Sequence, residues 1–413
     1  MNVTDFAILS KWKVAGEIMR KKRVLLFSEG FGTGHTGAAY ALAEGIKRLN
    51  PAVQCRVIEL GKFLNPTVAP WILSAYRKTV SSQPKLFGML YRTQYHRSLN
   101  RFTKLALHRV FYTHARQVIE QLKPDLIICT HPLPAAVVSR LKHLGLKVPL
   151  YTLITDYDAH GSWVNAEVNR YLVSTSRVKA ILTGRGTPSD QVKVTGIPVH
   201  PKFWERSNRE ALRQELGLAD KPTVLIMGGG WGLMFGKEIM NALTAKIDHI
   251  QLIFCMGSNN KLVDKLRSDP RFQHPNITIL GYSSDVNKLM DAADLLITKP
   301  GGMTCTEALA KGIPMLFYQA IPGQEEKNSQ YFVELGLAEV LDSETVIDKW
   351  FRLLQREYAE LEKQRRLRLS PDHYQPHHCA VTVLEMLTKQ GKLSGENGSP
   401  AQTLSDKAVY STP

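Results

Sequence analysis

Short apolar runs recur along the chain and alternate with stretches of helical periodicity. The first half contains VLLF (24–27), VQCRVIEL (53–60), DLIICT (125–130), PLYTLIT (149–155), NRYLVST (169–175) and VKVTGI before Pro198. The second half contains TVLIMGGG (223–230), IQLIFCMG, NITILGY, DLLITK and PMLFYQ. Runs of four to eight residues separated by amphipathic segments predict strands of a parallel sheet covered by helices. The charged, proline-flanked segment 198–222, PVHPKFWERSNREALRQELGLADKP, splits the runs into two sets. The fold class is therefore α/β, with two doubly wound, Rossmann-like domains facing across a cleft. The expected boundaries are an N-terminal extension at 1–21, a first domain at 22–198, a linker at 199–221 and a second domain at 222–373. A closing helix over 374–390 and a disordered tail over 391–413 complete the chain. Residues 343–369, rich in Glu, Lys, Arg and Leu, read as a charged surface helix.

Charge changes the picture of the first domain. The net charge is +16, but residues 1–200 hold 28 Lys and Arg against 11 Asp and Glu, whereas 201–413 hold 25 against 26. Between Glu59 and Glu120 there are ten basic residues and no acidic one, interleaved with Trp71, Tyr76, Phe87, Tyr91, Tyr95, Phe102, Phe111 and Tyr112. A basic, aromatic-rich surface suits anionic lipid headgroups, each Lys or Arg contributing about 1 kcal/mol. No nucleic-acid motif accompanies it, so nucleic acid is not expected as a partner. No run approaches the ~20 apolar residues of a spanning helix, and no signal peptide is expected. Five scattered cysteines without a C-x-x-C pair read as reduced thiols. The chain is thus expected to be cytoplasmic and peripherally bound to a membrane.

Three glycine-rich loops carry the candidate chemistry. In FSEGFGTGHTGAA, Gly32, Gly34 and Gly37 have the G-x-G-x-x-G spacing of a dinucleotide loop, and Glu59 ends the next strand where a ribose-binding acid is expected. The imidazole of His35 sits inside that turn, where a pyrophosphate would need close approach, and a histidine there is better placed as a base. Gly228, Gly229 and Gly230 follow the first strand of the second set. In ITKPGGMTCTEALAKGIPMLFYQAIPGQEEKNSQYF (297–332), a strand ends at Pro300-Gly301-Gly302 and a helix opens near Thr304, presenting N–H donors to a diphosphate without a metal. Glu307, one turn into that helix, suits a ribose diol, and Gln324, Glu325 and Asn328 form a polar cluster suited to sugar hydroxyls. A nicotinamide reading uses one loop and leaves 297–332 unexplained. No cofactor and no metal are called for.

GFGTGH, TDYDAHGSWVNAEVNRYLVST, VKVTGIPVHPKF, MGGGWG and KPGGMTCTEALAKGIPMLFYQAIPGQEEKN together closely resemble the monogalactosyldiacylglycerol synthases and bacterial diacylglycerol glucosyltransferases, inverting enzymes of glycosyltransferase family 28. The match runs from about residue 22 to 385. The resemblance implies a GT-B fold, a UDP-sugar donor and a diacylglycerol acceptor. It places His35 as the glycine-loop histidine, with Asp156 of the ITDYD loop as candidate partner or alternative base. It assigns Gly229 and Gly230 to the donor phosphates, with Gly34 and His200 also in the donor site, and Gly301, Gly302 and Thr304 to the diphosphate. Glu307 falls to the ribose, Gln324 and Glu325 to the donor sugar, and Gly281 and Tyr282 to the uracil. The basic interval 66–116 lies where the family carries membrane-binding helices. One departure stands out: GIPVHPKF has His200 where the family has arginine, a weaker and pH-dependent phosphate ligand. The alternatives are a family-28 transferase acting on a polyprenyl-linked or other lipid, and a non-catalytic nucleotide-sugar or lipid-binding protein.

Overall fold

The computed structural model describes residues 21–72, 74–75, 114–229, 236–356 and 374–395. The extension 1–20, most of the basic interval, Gly230 and the tail from 396 lie outside the described residues.

Among the described residues, the first set of six apolar runs builds one six-stranded sheet, and the second set of five, joined by Ala338–Val340, builds another. The first contains β1 (Arg23–Ser28), β2 (Gln54–Glu59), β3 (Leu126–Cys129), β4 (Leu150–Leu153), β5 (Arg170–Val173) and β6 (Val192–Val194), in the order β2-β1-β3-β4-β5-β6. The second contains β7 (Thr223–Met227), β8 (Gln251–Cys255), β9 (Ile277–Leu280), β10 (Leu295–Thr298), β11 (Met315–Phe317) and β12 (Ala338–Val340), in the order β12-β11-β10-β7-β8-β9. Every pairing is parallel. Central strands such as LIIC and LLIT are buried along their whole length, as a parallel sheet covered on both faces requires. Strand order reverses between β1 and β3 in the first sheet and between β7 and β10 in the second. In open α/β sheets, ligands bind at the carboxyl ends of strands flanking such reversals. Those ends lead into the His35 loop, Thr130, Gly228 and the Pro300–Gly302 turn.

The 199–221 segment folds as a short turn at Pro201–Phe203 and a helix at Arg209–Glu215. It is moored to the second domain. Arg209 pairs with buried Asp294, and Ser207 N donates to Asp291, whose Oδ2 also accepts from buried Lys311 Nζ at 2.7 Å. The charged segment at 343–369 is helical over Glu344–Arg356 and is amphipathic, burying Ile347, Trp350, Phe351 and Leu354. The closing helix runs His378–Gly395, five residues past the expected boundary at 390, so residues 391–395 continue the helix where a disordered tail was expected. Its Cys379, Ala380, Val383, Leu384 and Leu387 join a core that includes Ala38 and Leu42 of the Thr33–Leu49 helix. The chain end thus ties back to the first domain. Burying each large aliphatic side chain contributes ~1.5–3 kcal/mol. No helix among the described residues is long and apolar enough to cross a membrane.

Candidate active site between the two sheets

At the end of β1, Gly32 in extended backbone caps the Thr33–Leu49 helix and places His35 in its first turn. His35 Nδ1 lies 3.0 Å from Thr130 O and 2.7 Å from Thr155 Oγ1. A carbonyl oxygen only accepts, so Nδ1 carries the proton and Nε2 keeps a lone pair. Burial lowers the His35 pKa to about 4, so the ring is neutral at physiological pH. Two histidines that the sequence did not single out stand beside it. His131 Nδ1 accepts from Leu133 N (3.2 Å) and caps the Pro132–His143 helix. Its ring meets His35 edge-on at 4.7 Å and stacks on Phe31 at 5.4 Å. His160 packs 5.9 Å from Trp163, whose ring is 6.2 Å from His35. Burial, aided by the neighbouring histidines, depresses both: His131 well below its ordinary value and His160 to about 4. Glu59, the acid a dinucleotide would need, instead accepts from Thr36 Oγ1 at 2.9 Å.

Across the cleft, β10 ends in the Pro300–Gly302 turn, and the Gly302–Lys311 helix opens without a side-chain cap. The first N–H with a backbone acceptor in that helix belongs to Cys305, bonded to Gly301 O at 3.0 Å. Among the described residues no acceptor meets the N–H groups of Gly302, Met303 and Thr304, so they can take an anion. Glu307 follows one turn later. Burial raises its pKa to about 8, and among the described residues no hydrogen bond or ion pair reaches its carboxyl. Lys299, also missed in the sequence, is lowered by burial and faces Glu325, whose Oε2 accepts from Ile321 N at 2.7 Å. Gly229 adopts φ +70°, a conformation that glycine permits, at the end of β7. Gly281 O accepts from Cys255 Sγ, and Tyr282 is 81% exposed beyond β9.

The two halves meet at Thr155-Asp156-Tyr157. Gln324 Nε2 donates to Asp156 Oδ2, and Asn328 Nδ2 donates to Asp156 Oδ1 (3.1 Å) and to Pro300 O (3.1 Å). Tyr157 N donates to Asn328 Oδ1 (2.9 Å), and Tyr157 OH lies 2.8 Å from Thr306 Oγ1. Burial raises the Asp156 pKa to about 7, against the two amide donors that hold it down. A Cβ built on Gly34 would sit 3.5 Å from Met303 Cγ, so the two glycine-led helix starts abut.

The structure thus gathers Gly34, His35, Asp156, Gly301, Gly302, Thr304, Gln324 and Glu325 at one seam, with Glu307 a turn away. It does not join Asp156 to His35. No hydrogen bond connects them, because the carboxylate is taken by the facing domain and Nδ1 by Thr130 and Thr155. His200 caps the Pro201–Phe203 turn, its Nδ1 accepting from Lys202 N at 3.1 Å. It faces Glu44, ten residues and about 15 Å along the helix from Gly34.

Known proteins resemble this chain in sequence and in fold. The sequence model of the monogalactosyldiacylglycerol (MGDG) synthase family matches residues 35–199, and that of the glycosyltransferase family 28 C-terminal domain matches 223–369. A processive diacylglycerol beta-glucosyltransferase from Bacillus pumilus is 31% identical over 392 residues, covering 93% of this chain and 99% of its own length. Anabaena HepE in complex with UDP-glucose superposes with a TM-score of 0.56 at 14% identity, covering 90% of this chain and 99% of HepE. Acinetobacter baumannii MurG gives 0.56 at 16% identity, covering 89% and 99%. These structures have the GT-B architecture of two facing sheets seen here. By relatedness across both domains, the chain belongs to the family of the monogalactosyldiacylglycerol synthases and diacylglycerol glucosyltransferases, glycosyltransferases of GT-B fold.

Proposed function

We propose that the protein transfers a hexose from a UDP-sugar to diacylglycerol at a membrane surface, with inversion at the anomeric carbon. The observation carrying this reading is the pairing of a neutral His35, Nε2 unprotonated, with the uncapped Gly302–Thr304 helix start across the seam. The acceptor hydroxyl attacks the anomeric carbon as its proton passes to His35 Nε2. The bond from that carbon to the UDP oxygen breaks, and the charge left on the diphosphate meets preorganised N–H donors. Because His200 serves as a turn cap and burial lowers its pKa, phosphate binding rests on the helix ends. The relatives' name favours glucose as the hexose.

The test is UDP release by purified protein with anionic vesicles containing diacylglycerol, comparing UDP-glucose with UDP-galactose and identifying the lipid product. A glycosyl-diacylglycerol made from one donor supports the reading. If folded, vesicle-bound protein releases no UDP with either donor, the acceptor is another lipid or the protein only binds.

Membrane attachment draws support from the described edge of the basic interval, where Trp71 is 80% exposed beside exposed Phe63 and Val68. Vesicle binding is expected to weaken as salt rises and as anionic lipid is withdrawn, since the Debye length shortens to about 8 Å at 0.15 M. Sedimentation with vesicles at two salt concentrations checks this. Indifference to both would make the interval an ordinary solvated face.

Glu307 gives a second handle. A ribose diol donating to its carboxylate stabilises the charged form, so UDP binding should pull its pKa down from about 8. UDP affinity is then expected to rise with pH up to about 8, with proton release near neutrality. Calorimetry in buffers of different ionisation enthalpy reads that proton. Glu307→Ala should abolish the release and weaken UDP by about 1–3 kcal/mol. Equal affinity would put the ribose elsewhere.

A further inference from the structure

The seam holds a carboxylate whose two oxygens serve two amides of the facing domain, and those amides are not equally fixed. Asn328 is locked from both sides by backbone. Its Oδ1 accepts from Tyr157 N–H, which only donates, at 2.9 Å, and its Nδ2 donates to Pro300 O, which only accepts, at 3.1 Å. Turning that amide over would place like against like at both contacts. Gln324 has no such backbone lock, and the side-chain hydrogen bond it makes goes to Asp156. In its ionised form, which prevails above about pH 7, the carboxylate only accepts, so it dictates that the Gln324 NH2 group faces the seam and that Oε1 is left over.

We propose that Asp156 is a positioning residue for the donor hexose, fixing the Gln324 amide so that a sugar hydroxyl meets its carbonyl oxygen Oε1. The inference rests on the UDP-hexose reading above. Each oxygen of Asp156 already accepts from an amide of the facing domain, so in this proposal Asp156 acts on the sugar through Gln324. An acceptor at that position fixes the hydroxyl facing it as a donor, and turning the amide over presents N–H instead, so the hydroxyl must rotate to accept and re-aim its proton.

Asp156→Asn separates this role from simple closure of the seam. In that variant the side-chain oxygen at position 156 still accepts from locked Asn328. The amide NH2 introduced beside it faces Gln324, which turns over and accepts through Oε1. Every seam hydrogen bond is kept, and only the atom offered to the hexose changes. Asp156→Asn is expected to keep the thermal midpoint and UDP affinity within about twofold of wild type. It should cut kcat/KM for the UDP-hexose at least tenfold, mainly through loss of the extra affinity that UDP-hexose has over UDP. Gln324→Met, which removes the amide at similar length, should show the same loss, and the double variant should lose little more, since groups acting through one contact are non-additive.

Unchanged kcat/KM in Asp156→Asn overturns the proposal, because orientation would then be immaterial. Lost kcat with the UDP-hexose to UDP affinity ratio intact overturns it in favour of proton transfer. Losses that multiply in the double variant overturn it by showing that Asp156 acts apart from Gln324. If the wild type itself discriminates no UDP-hexose from UDP and releases no UDP, the donor reading has failed instead.

Discussion

His35→Ala is expected to lower turnover by about 10² to 10⁴, the range of general-base assistance, while UDP affinity stays near wild type. The expectation follows from how the ring is held. Thr130 O at 3.0 Å and Thr155 Oγ1 at 2.7 Å fix the tautomer, and the rings of His131 and Trp163 pack beside it. With a pKa near 4, the acid limb that His35 contributes to kcat/KM lies near pH 4, well below the 6.5 of a free imidazole. The same depression has a stability consequence of definite sign. Below 6.5 the unfolded chain takes up a proton that native His35 refuses, so its contribution falls as pH drops from 6.5 to 4. The variant has no such group and should gain stability relative to wild type at pH 5 compared with pH 7. Denaturation at the two pH values reads this independently of catalysis. Turnover unchanged in His35→Ala would remove the residue from the mechanism, and an unchanged stability gap would mean that the ring is hydrated and titrates normally.

How much of this was legible in the chain follows from where the information resides. The apolar runs placed eleven of the twelve strands because a buried parallel strand is written locally. β12 was missed because Ala338–Val340 is three residues with a charged centre, and its pairing with β11 comes from the sheet. His35, Gly301 and Gln324 were legible because glycine punctuation marks loops at strand ends. His131, His160 and Lys299 were not, since each is an isolated residue that only the packing gathers. Asp156 was found but given the wrong neighbour. It was expected as a partner of His35 or an alternative base, whereas its side chain points across the seam to Gln324 and Asn328, which lie 168 and 172 residues away. Contacts between domains leave no periodic trace along a chain.

Gly302→Ala is expected to cost at least about a hundredfold in kcat/KM, although it adds one methyl group to a helix start. The helix should welcome the change, since alanine is ~1 kcal/mol better than glycine in helices, and the free N–H donors remain. UDP affinity, which draws on the second domain, should therefore change little. The obstacle is on the other side. A Cβ at this position falls closer than 3.0 Å to the Thr155 carbonyl oxygen and 3.1 Å from Asp156 Oδ1. Backbone cannot swing aside as a side chain can, so the methyl holds the domains apart where Thr155 orients His35 and Asp156 meets Gln324. A displacement of about 1 Å at reacting groups costs on the order of 10²-fold in rate. Gly301→Ala is the control: the same addition one residue earlier meets nothing within 4 Å and should leave the closed seam intact. Comparing kcat/KM and UDP affinity of the two variants decides the matter. If Gly302→Ala turns over like wild type, the contact between Thr155 and the helix start belongs to a resting state that catalysis does not use. If it loses UDP affinity as steeply as turnover, the methyl has damaged the diphosphate site rather than the approach of the two domains.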